Sequence, residues 1–530
     1  MGKKRIFAFT MKKQSHPVTR SQREVAELFH VAPVTVFNWV KEGLLCLDED
    51  HLVTEESLRK FQKRYAGKTK LHARANKQLK DGHDDSVVDE VIQKALKEEQ
   101  FDDALGDRYE AMLSESFKNK EGVFYTPKDI VEDMMKDVEM DADTLFLDPC
   151  CGSGNFLVNA VKRGVAPQNL YGFDTDPNAV LIARRRIKEL TGCEAEHVVC
   201  ADFLRMCPSL KVKFDKVFTN PPWGKKLPKT QRMDYAQRYQ AGFSTDTCSL
   251  FLFSILSVLK HGGQAGLLLP DSFFKIAVFE DARKVVLRQT LCRIKDYGKP
   301  FKNLYSAVSL LVCLRESEKD NEVLCHTGSH EYSRTQQSFM HMPRYNLNYW
   351  TRPEEMHLVE ELLQHPCLYL KGQALWGLGI VTGNNAKMCR HSRRPGLKPV
   401  YRGKDICPGR LKAAKLFVNP NDFSRYQQMA SLSLLHAPEK LIYKFISSQL
   451  VFYCDTQQRY ILNSANMLVL REEFPLSAKQ LADIMNSSLT NWLYRQLFHT
   501  HKVLRGDLEI LPLITDSALH RRFNLLNLNR

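Results

Sequence analysis

The 14 cysteines of this 530-residue chain include no CxxC pair and no paired metal-like spacing, which excludes a zinc-stapled or disulfide-framed scaffold. No metal is expected. Cys193, Cys200 and Cys207 recur regularly, but they straddle one predicted strand and its flanks, and buried free thiols are the expectation. No apolar run approaches membrane-spanning length; Phe251–Leu259 is apolar but short. The start, Met1-Gly2-Lys3-Lys4, has no apolar stretch behind it and no Ser or Thr at position 6, so neither a secretory signal nor a myristoylation signal is read. These absences predict a reducing, cytoplasmic setting without membrane contact. Acid is also scarce. Against 76 Lys and Arg stand 61 Asp and Glu, a formal charge of +15, which suits a polyanionic partner whose counterions the cations displace. The hydrophobic share of 43% and aromatic share of 10% exclude a disordered chain, and the length predicts about three or four domains.

Ser21-Gln22-Arg23-Glu24 reads as a capping box, opening a helix with Val25, Leu28 and Phe29 on one face. After a turn, Pro33 opens a second helix bearing Val36, Trp39 and Val40, stopped by Gly43. This is a helix-turn-helix pattern over 15–65, whose second helix leaves Thr35, Asn38 and Lys41 for DNA contact, the alternative being a small structural or protein-binding domain of two packed helices. Arg59 to Lys80 carries nine Lys and Arg and no acid, either a solvated linker or a phosphate-tracking arm. The stretch 66–108 is expected to be a basic, then acidic helical linker.

From 109 to 335 strand and helix signals alternate. Strands are predicted at Thr144–Asp148, Leu170–Asp174, His197–Asp202, Phe214–Asn220 and Ala265–Leu269. Helices are predicted at Asn155–Lys162, Pro177–Leu190 and Leu250–Leu259. Such alternation implies an α/β fold with a parallel, doubly wound sheet. Beyond about His330 the alternation breaks down, with a helix at Pro353–Gln364. Cys389–Leu416 then holds nine Lys and Arg, including Arg393, Arg394, Arg402 and Lys404, against the single acid Asp405. The stretch 336–530 is a separate module.

Four successive predicted strands end in polar residues: Asp148, Asp174, Asp202 and Asn220. Ligands bind outside the carboxyl ends of an open parallel sheet, so four in a row make a candidate site. The first strand runs into Asp148-Pro149-Cys150-Cys151-Gly152-Ser153-Gly154, where Gly152 and Gly154 permit a tight turn and close approach to a ligand. A nicotinamide dinucleotide wants a third glycine where Leu157 stands, which argues against a dehydrogenase. Asp174 is placed for ribose hydroxyls. Asp202-Phe203 offers an acceptor and a ring for an adenine. The pocket fits an adenosine ligand without a pyrophosphate.

Asn220-Pro221-Pro222-Trp223 carries the chemistry. An exocyclic amine on an aromatic ring is a poor nucleophile because its lone pair is delocalised. The Asn220 side-chain oxygen and the Pro221 carbonyl can accept both amine hydrogens, and the two prolines hold those acceptors in place beforehand. Trp223 offers a flat surface for the base, worth roughly 1–3 kcal/mol in stacking.

On these motifs the chain resembles the DNA amino-methyltransferases. Asp148–Gly154 is similar to the family's methyl-donor loop, with Cys150 at the usual alanine, and Asn220–Trp223 to its NPPY motif, with Trp for Tyr. Phe124-Tyr125-Thr126-Pro127 resembles the motif contacting the methionine part of the donor. The motif order is that of the γ-class, TaqI-like enzymes. Phe301 lines up with the aromatic that holds a flipped base from its other side. Gly379–Asn385, Tyr401–Ile406, Lys440–Tyr443, Leu462–Asn466 and Leu504–Gly506 resemble the TaqI-like specificity domain.

The resemblance implies a Rossmann-like methyltransferase domain and a C-terminal mixed α/β target recognition domain. It implies S-adenosyl-L-methionine as methyl donor, bound by Tyr125, Thr126, Pro127, Asp148, Pro149, Cys150, Gly152, Gly154, Asp174, Asp202 and Phe203. Adenine N6 of double-stranded DNA is the expected target, with the protein a monomer and a separate restriction endonuclease left open as a second partner. The rivals are cytosine-N4 methylation, methylation of RNA or of a protein amide, and a non-catalytic DNA-binding protein on a dead fold. A carbon-5 enzyme needs a Pro-Cys nucleophile, but Pro149-Cys150 is already used in the donor loop. A fused nuclease is not expected, since the first 110 residues show no Asp followed by Glu-x-Lys on adjacent strands.

Overall fold

The computed structural model describes residues 19–29, 36, 39–40, 45–48, 52–65, 105–112, 124–225, 227–301, 306–318 and 320–528. Packing divides the chain into two units, Met1–Phe124 and Tyr125–Arg530.

In the first unit the capping box forms: the Glu24 amide donates to Ser21 Oγ at 3.2 Å and the Ser21 amide to Glu24 Oε2 at 2.7 Å, starting the helix Gln22–Leu28. Val25, Phe29, Val36 and Trp39 are buried with Phe61 from the helix Glu55–Tyr65. Leu28, expected on the apolar face, is exposed; the core is closed instead by Phe61, whose ring lies 4.6 Å from that of Trp39. Thr35, Asn38 and Lys41, Gly43 and the basic run beyond Tyr65 lie outside the described residues.

The second unit is built on a nine-stranded sheet. Its strands are β1 (Phe146–Asp148), β2 (Leu170–Asp174), β3 (Val198–Cys200), β4 (Phe214–Thr219), β5 (Leu259–Pro270), β6 (Gln289–Asp296), β7 (Ala307–Glu316), β8 (Glu322–Thr327) and β9 (His330–Thr335). Their order is β9-β8-β6-β7-β5-β4-β1-β2-β3. Strands β3, β2, β1, β4 and β5 pair in parallel, and β7 lies antiparallel between β5 and β6. Strand order therefore reverses at β1, leaving a crevice between the carboxyl ends of β1 and β4.

Helices α1 (Lys128–Met135), α2 (Asn155–Lys162), α3 (Pro177–Thr191), α4 (Lys229–Arg238), α5 (Thr247–Val258) and α6 (Glu280–Leu287) pack on this sheet. Helix α5, apolar all round, is buried almost throughout, as such a helix must be. The core of the sheet also takes in Phe339, Leu347 and Tyr349, so its packing runs beyond the expected boundary at 335.

The C-terminal module adds helices α7 (Pro353–Gln364), α8 (Ala478–Asn486) and α9 (Ser488–Phe498). Its larger sheet is antiparallel and joins β10 (Ala374–Leu378), β13 (Lys440–Lys444), β14 (Phe452–Asp455) and β16 (Ala465–Leu470) in the order β10-β16-β13-β14. A smaller sheet joins β11 (Lys398–Tyr401), β12 (Leu416–Val418) and β15 (Tyr460–Ile461). Among the described residues no helix is long and apolar enough to cross a membrane. Cys207 is buried as expected, but Cys193 and Cys200 are exposed, because both sit at the rim where helix and strand ends meet solvent.

Candidate active site

The sheet brings the four polar strand ends to one edge, on the adjacent strands β4, β1, β2 and β3. Asp148 closes β1 and Asp174 closes β2; Asn220 follows β4 across the crevice, and Asp202 follows β3.

The loop after β1 is drawn onto β2. The Gly152 amide donates to Asp174 Oδ2 at 2.8 Å, and the Cys151 amide to the Phe173 carbonyl at 2.9 Å. Gly152 has φ +49°, and a Cβ there would lie 2.8 Å from the Tyr125 ring. Only glycine can pass beneath that ring. Leu157, where a dinucleotide site wants glycine, is buried in α2 and packs over Gly172 of β2. Close helix-to-strand packing is thus supplied from the strand side.

Tyr125, Thr126 and Pro127 are tied to the same loop through Asn155. Its Nδ2 donates to the Thr126 carbonyl at 2.8 Å, and its Oδ1 accepts from Arg186 Nη1 at 2.8 Å. That guanidinium, fully buried in α3, also donates to the Ser153 carbonyl at 2.7 Å. Arg186 braces both motifs, and sequence reading missed it because nothing local distinguishes it from its neighbours Arg184 and Arg185.

The acids differ in accessibility. Asp148 is buried, and burial pushes its carboxyl up to about 7, although the Thr219 hydroxyl and the Cys150 amide beside it favour the charged form. Asp174 is half-buried; desolvation raises it too, while the Asp176 and Gly152 amides oppose the shift. Burial, with Asp148 and Asp174 nearby, pushes the Cys150 thiol well above its ordinary range, so Cys150 and the adjoining Pro149 are loop residues, not a nucleophile pair. Asp202 accepts from the Tyr235 hydroxyl of α4 at 2.9 Å, an orienting contact that no sequence spacing announced.

Phe203 does not offer its face to the crevice. It is 1% exposed, between Phe173 at 5.4 Å and Phe251 at 6.1 Å. The expected stacking role is corrected to a core role, because α5 arrives from far along the chain to cover it.

In the Asn220-Pro221-Pro222-Trp223 turn, Pro221 and Trp223 are buried and Asn220 and Pro222 half-buried. Trp223 Nε1 donates to the Leu268 carbonyl of β5 at 3.2 Å, which fixes the indole plane. Thr247, opening α5, donates to the Lys225 carbonyl at 2.9 Å and anchors the chain just after the turn. Phe301 meets Trp223 edge to face, with centroids 5.5 Å apart and planes at 79°. A base held between two rings needs them parallel and about 7 Å apart, twice a carbon contact distance. The two aromatics are therefore brought together in a closed pair, and admitting a base requires Phe301 to swing away.

The dispersed C-terminal motifs converge. The Gly379 amide donates to the Ala465 carbonyl, and Ile380 exchanges bonds with Ile461 and Asn463. The Gly403 amide donates to Ser464 Oγ at 2.9 Å, its Cα so near the Ser464 carbonyl that a Cβ would sit 2.3 Å from it. Arg393, Arg394 and Lys404 are exposed. Arg402 is half-buried, and its guanidinium grips Asp405, Nε to Oδ2 at 3.1 Å and Nη2 to Oδ1 at 3.4 Å, which braces the turn.

Residues 100–349 match the N-6 DNA Methylase family, and residues 398–513 the TaqI-like C-terminal specificity domain. The Type II methyltransferase M.VspI of Vibrio sp. (strain 343) is 42% identical over 386 residues, 72% of this chain and 95% of that protein. The methylase subunit of the type I restriction enzyme EcoEI from Escherichia coli is 29% identical over 182 residues, covering 31% of this chain and 36% of the subunit. Among solved structures, the Type IIL restriction-modification enzyme MmeI in complex with DNA shares the fold, with a TM-score of 0.56 at 10% identity over 80% of this chain and 72% of that one.

Proposed function

The chain belongs to the N-6 DNA methylase family with a TaqI-like C-terminal specificity domain, and on that premise we propose that it methylates adenine N6 at a specific site in double-stranded DNA. It acts as the modification enzyme of a restriction-modification or orphan methylation system. The carrying observation is the switch-point geometry: a glycine cradle braced by Asp174 on one side of the crevice, and Asn220 on the proline-stiffened turn on the other.

S-adenosyl-L-methionine suits the cradle, and when bound it supplies a methyl group on a positively charged sulfur. Tyr125 lies over Gly152 as a lid on the loop, and the raised carboxyls of Asp148 and Asp174 provide a site where a cation is favoured. Thr126, Pro127, Gly154 and Asp202 complete the donor side. On the DNA side, Arg393, Arg394 and Lys404, with Thr35, Asn38 and Lys41 of the N-terminal unit, contact the duplex. Flipping the adenine costs a few kcal/mol, offset by stacking on Trp223, by Phe301 closing over the other face and by the bonds to the amine. Asn220 Oδ1 and the Pro221 carbonyl accept the two amine hydrogens and pull the nitrogen toward tetrahedral geometry, so its lone pair points at the methyl. The amine proton leaves after attack, and no general base is required in that step.

Incubating the protein with plasmid and donor, then mapping modified bases by single-molecule sequencing, tests the reading. N6-methyladenine in one short sequence context is the expected result; N4-methylcytosine alone, or no modified adenine, ends it.

A pH dependence follows. In the ligand-free protein Asp148 is protonated below about pH 7 and charged above it. A cationic donor binds the charged form better, so its affinity falls as pH drops from 8 to 5.5, by at most about tenfold per unit below 7. Asp174, also raised, acts in the same direction. Titration calorimetry reads the slope, and Asp148→Asn reduces it to the share that Asp174 supplies. Constant affinity across that range in the native protein rules out the coupling.

A further inference from the structure

Between the large sheet and the C-terminal module runs a short connection, Asn346 to Thr351, whose polar side chains are almost all buried. A helix ends with carbonyls that have no partner within the helix, and this connection supplies donors to three carbonyls in the last turn of α9. Asn346 Nδ2 donates to the Leu497 carbonyl at 3.1 Å and Asn348 Nδ2 to that of Gln496 at 3.2 Å. Trp350 Nε1 donates to the carbonyls of Arg495 and Gln496 at 3.1 and 3.0 Å. Lys275, just after β5, donates to the His499 carbonyl at 2.8 Å and pairs with Asp271. The end of α9 is thus keyed to the catalytic sheet.

Tyr349 sits in the middle of this connection and points the other way. Its ring packs against Phe274 at 5.4 Å, and its hydroxyl lies 3.2 Å from Asp296 Oδ2 and 3.4 Å from Asp271 Oδ1. Asp296 is the last residue of β6, and its other oxygen accepts the Gly298 amide at 2.7 Å. Gly298, with φ +66°, opens the turn that leads to Phe301. One carboxylate therefore holds the Phe301 turn with one oxygen and the inter-module connection with the other.

We propose that Tyr349 is a positioning residue that sets the Phe301 turn through Asp296, and so couples seating of the specificity module to capture of the flipped base. The inference rests on the proposed function, since it needs Phe301 to close on a base. The Tyr349 hydroxyl donates to the carboxylate, which fixes Asp296 so that it receives the Gly298 amide in one orientation. A displacement of α9 carries the connection with it, and the carboxylate and the turn then move together. Neither group touches the donor cradle, and a hydrogen bond to a charged partner is strong enough for its loss to be seen kinetically.

The test uses the full chain and a duplex carrying 2-aminopurine at the methylated adenine, in the sequence context mapped on plasmid. Native protein must raise the 2-aminopurine fluorescence and Phe301→Ala must alter it; if neither holds, the base-capture reading fails and not the coupling. Given that baseline, Tyr349→Phe lowers the flipped-base signal and the single-turnover rate by about tenfold or more, with donor affinity unchanged and the melting temperature lowered by only a few degrees. Asp296→Ala gives the same loss, and adding Tyr349→Phe to it costs little more, because both act through one contact. A Tyr349→Phe protein with native flipping and rate overturns the proposal, as do losses that multiply in the double variant. Should Asp296→Ala fail to fold, Tyr349→Phe decides alone, since it removes only the hydroxyl.

Discussion

Asn220→Ala is expected to slow methyl transfer about a thousandfold, the scale seen when one preorganised polar contact to a reacting centre is removed. Only a nitrogen held by both acceptors has its lone pair turned toward the methyl. With the Pro221 carbonyl alone the amine stays conjugated with its ring. Donor binding should survive, because the cradle comes from β1, β2 and the start of α2, whereas Asn220 follows β4. The turn itself should also survive, since it is held by the two prolines, by the Trp223 bond to Leu268 and by Thr247 at Lys225. Single-turnover transfer from labelled donor, paired with donor calorimetry, separates the two effects. An undiminished rate removes Asn220 from the chemistry.

Asp455→Asn should cost about 3–5 kcal/mol of stability, because it breaks a buried ion pair and leaves a charge stranded. Lys440 on β13 and Asp455 on β14 face each other in register, both completely buried, with Nζ 2.9 Å from Oδ2. Among the described residues, that ammonium's other bond goes to the Leu435 carbonyl at 2.8 Å. Arg459 binds the same carboxylate at 2.8 Å but is partly exposed, so it can turn to water when the acid is gone. Lys440 cannot. The paired replacement Lys440→Met with Asp455→Leu should recover only the share due to the stranded ammonium, since the Gln457 and Arg459 amides still lose their carboxylate acceptor. Urea unfolding followed by tryptophan fluorescence measures both, and a cost under about 1 kcal/mol for Asp455→Asn defeats the argument. DNA recognition should fall with the single change while donor binding is retained, because the pair lies in the specificity module.

Much of the fold was legible where the signal is local. Asn155–Lys162, Leu170–Asp174 and Pro353–Gln364 have the predicted bounds, since caps, prolines and apolar runs act within a few residues. The glycine loop after β1 and the proline turn after β4 were legible as turns at strand ends because such turns need consecutive residues. Phe203 was misjudged for the opposite reason. Whether a ring faces a ligand or a core depends on whether a distant helix covers it. Arg186, Tyr235 and Tyr349 gave no signal, because each acts on a partner far away in the chain.

The order of residues alone therefore determined the chemistry: which side chains end consecutive strands, and that two prolines pin an amide beside them. Only tertiary structure decided which of those groups reach the crevice, which are spent on the interior, and how the specificity module is tied to the large sheet. The physical reason is range. Backbone preference and capping act across one turn of chain, whereas burial and charge pairing depend on whatever the fold brings alongside.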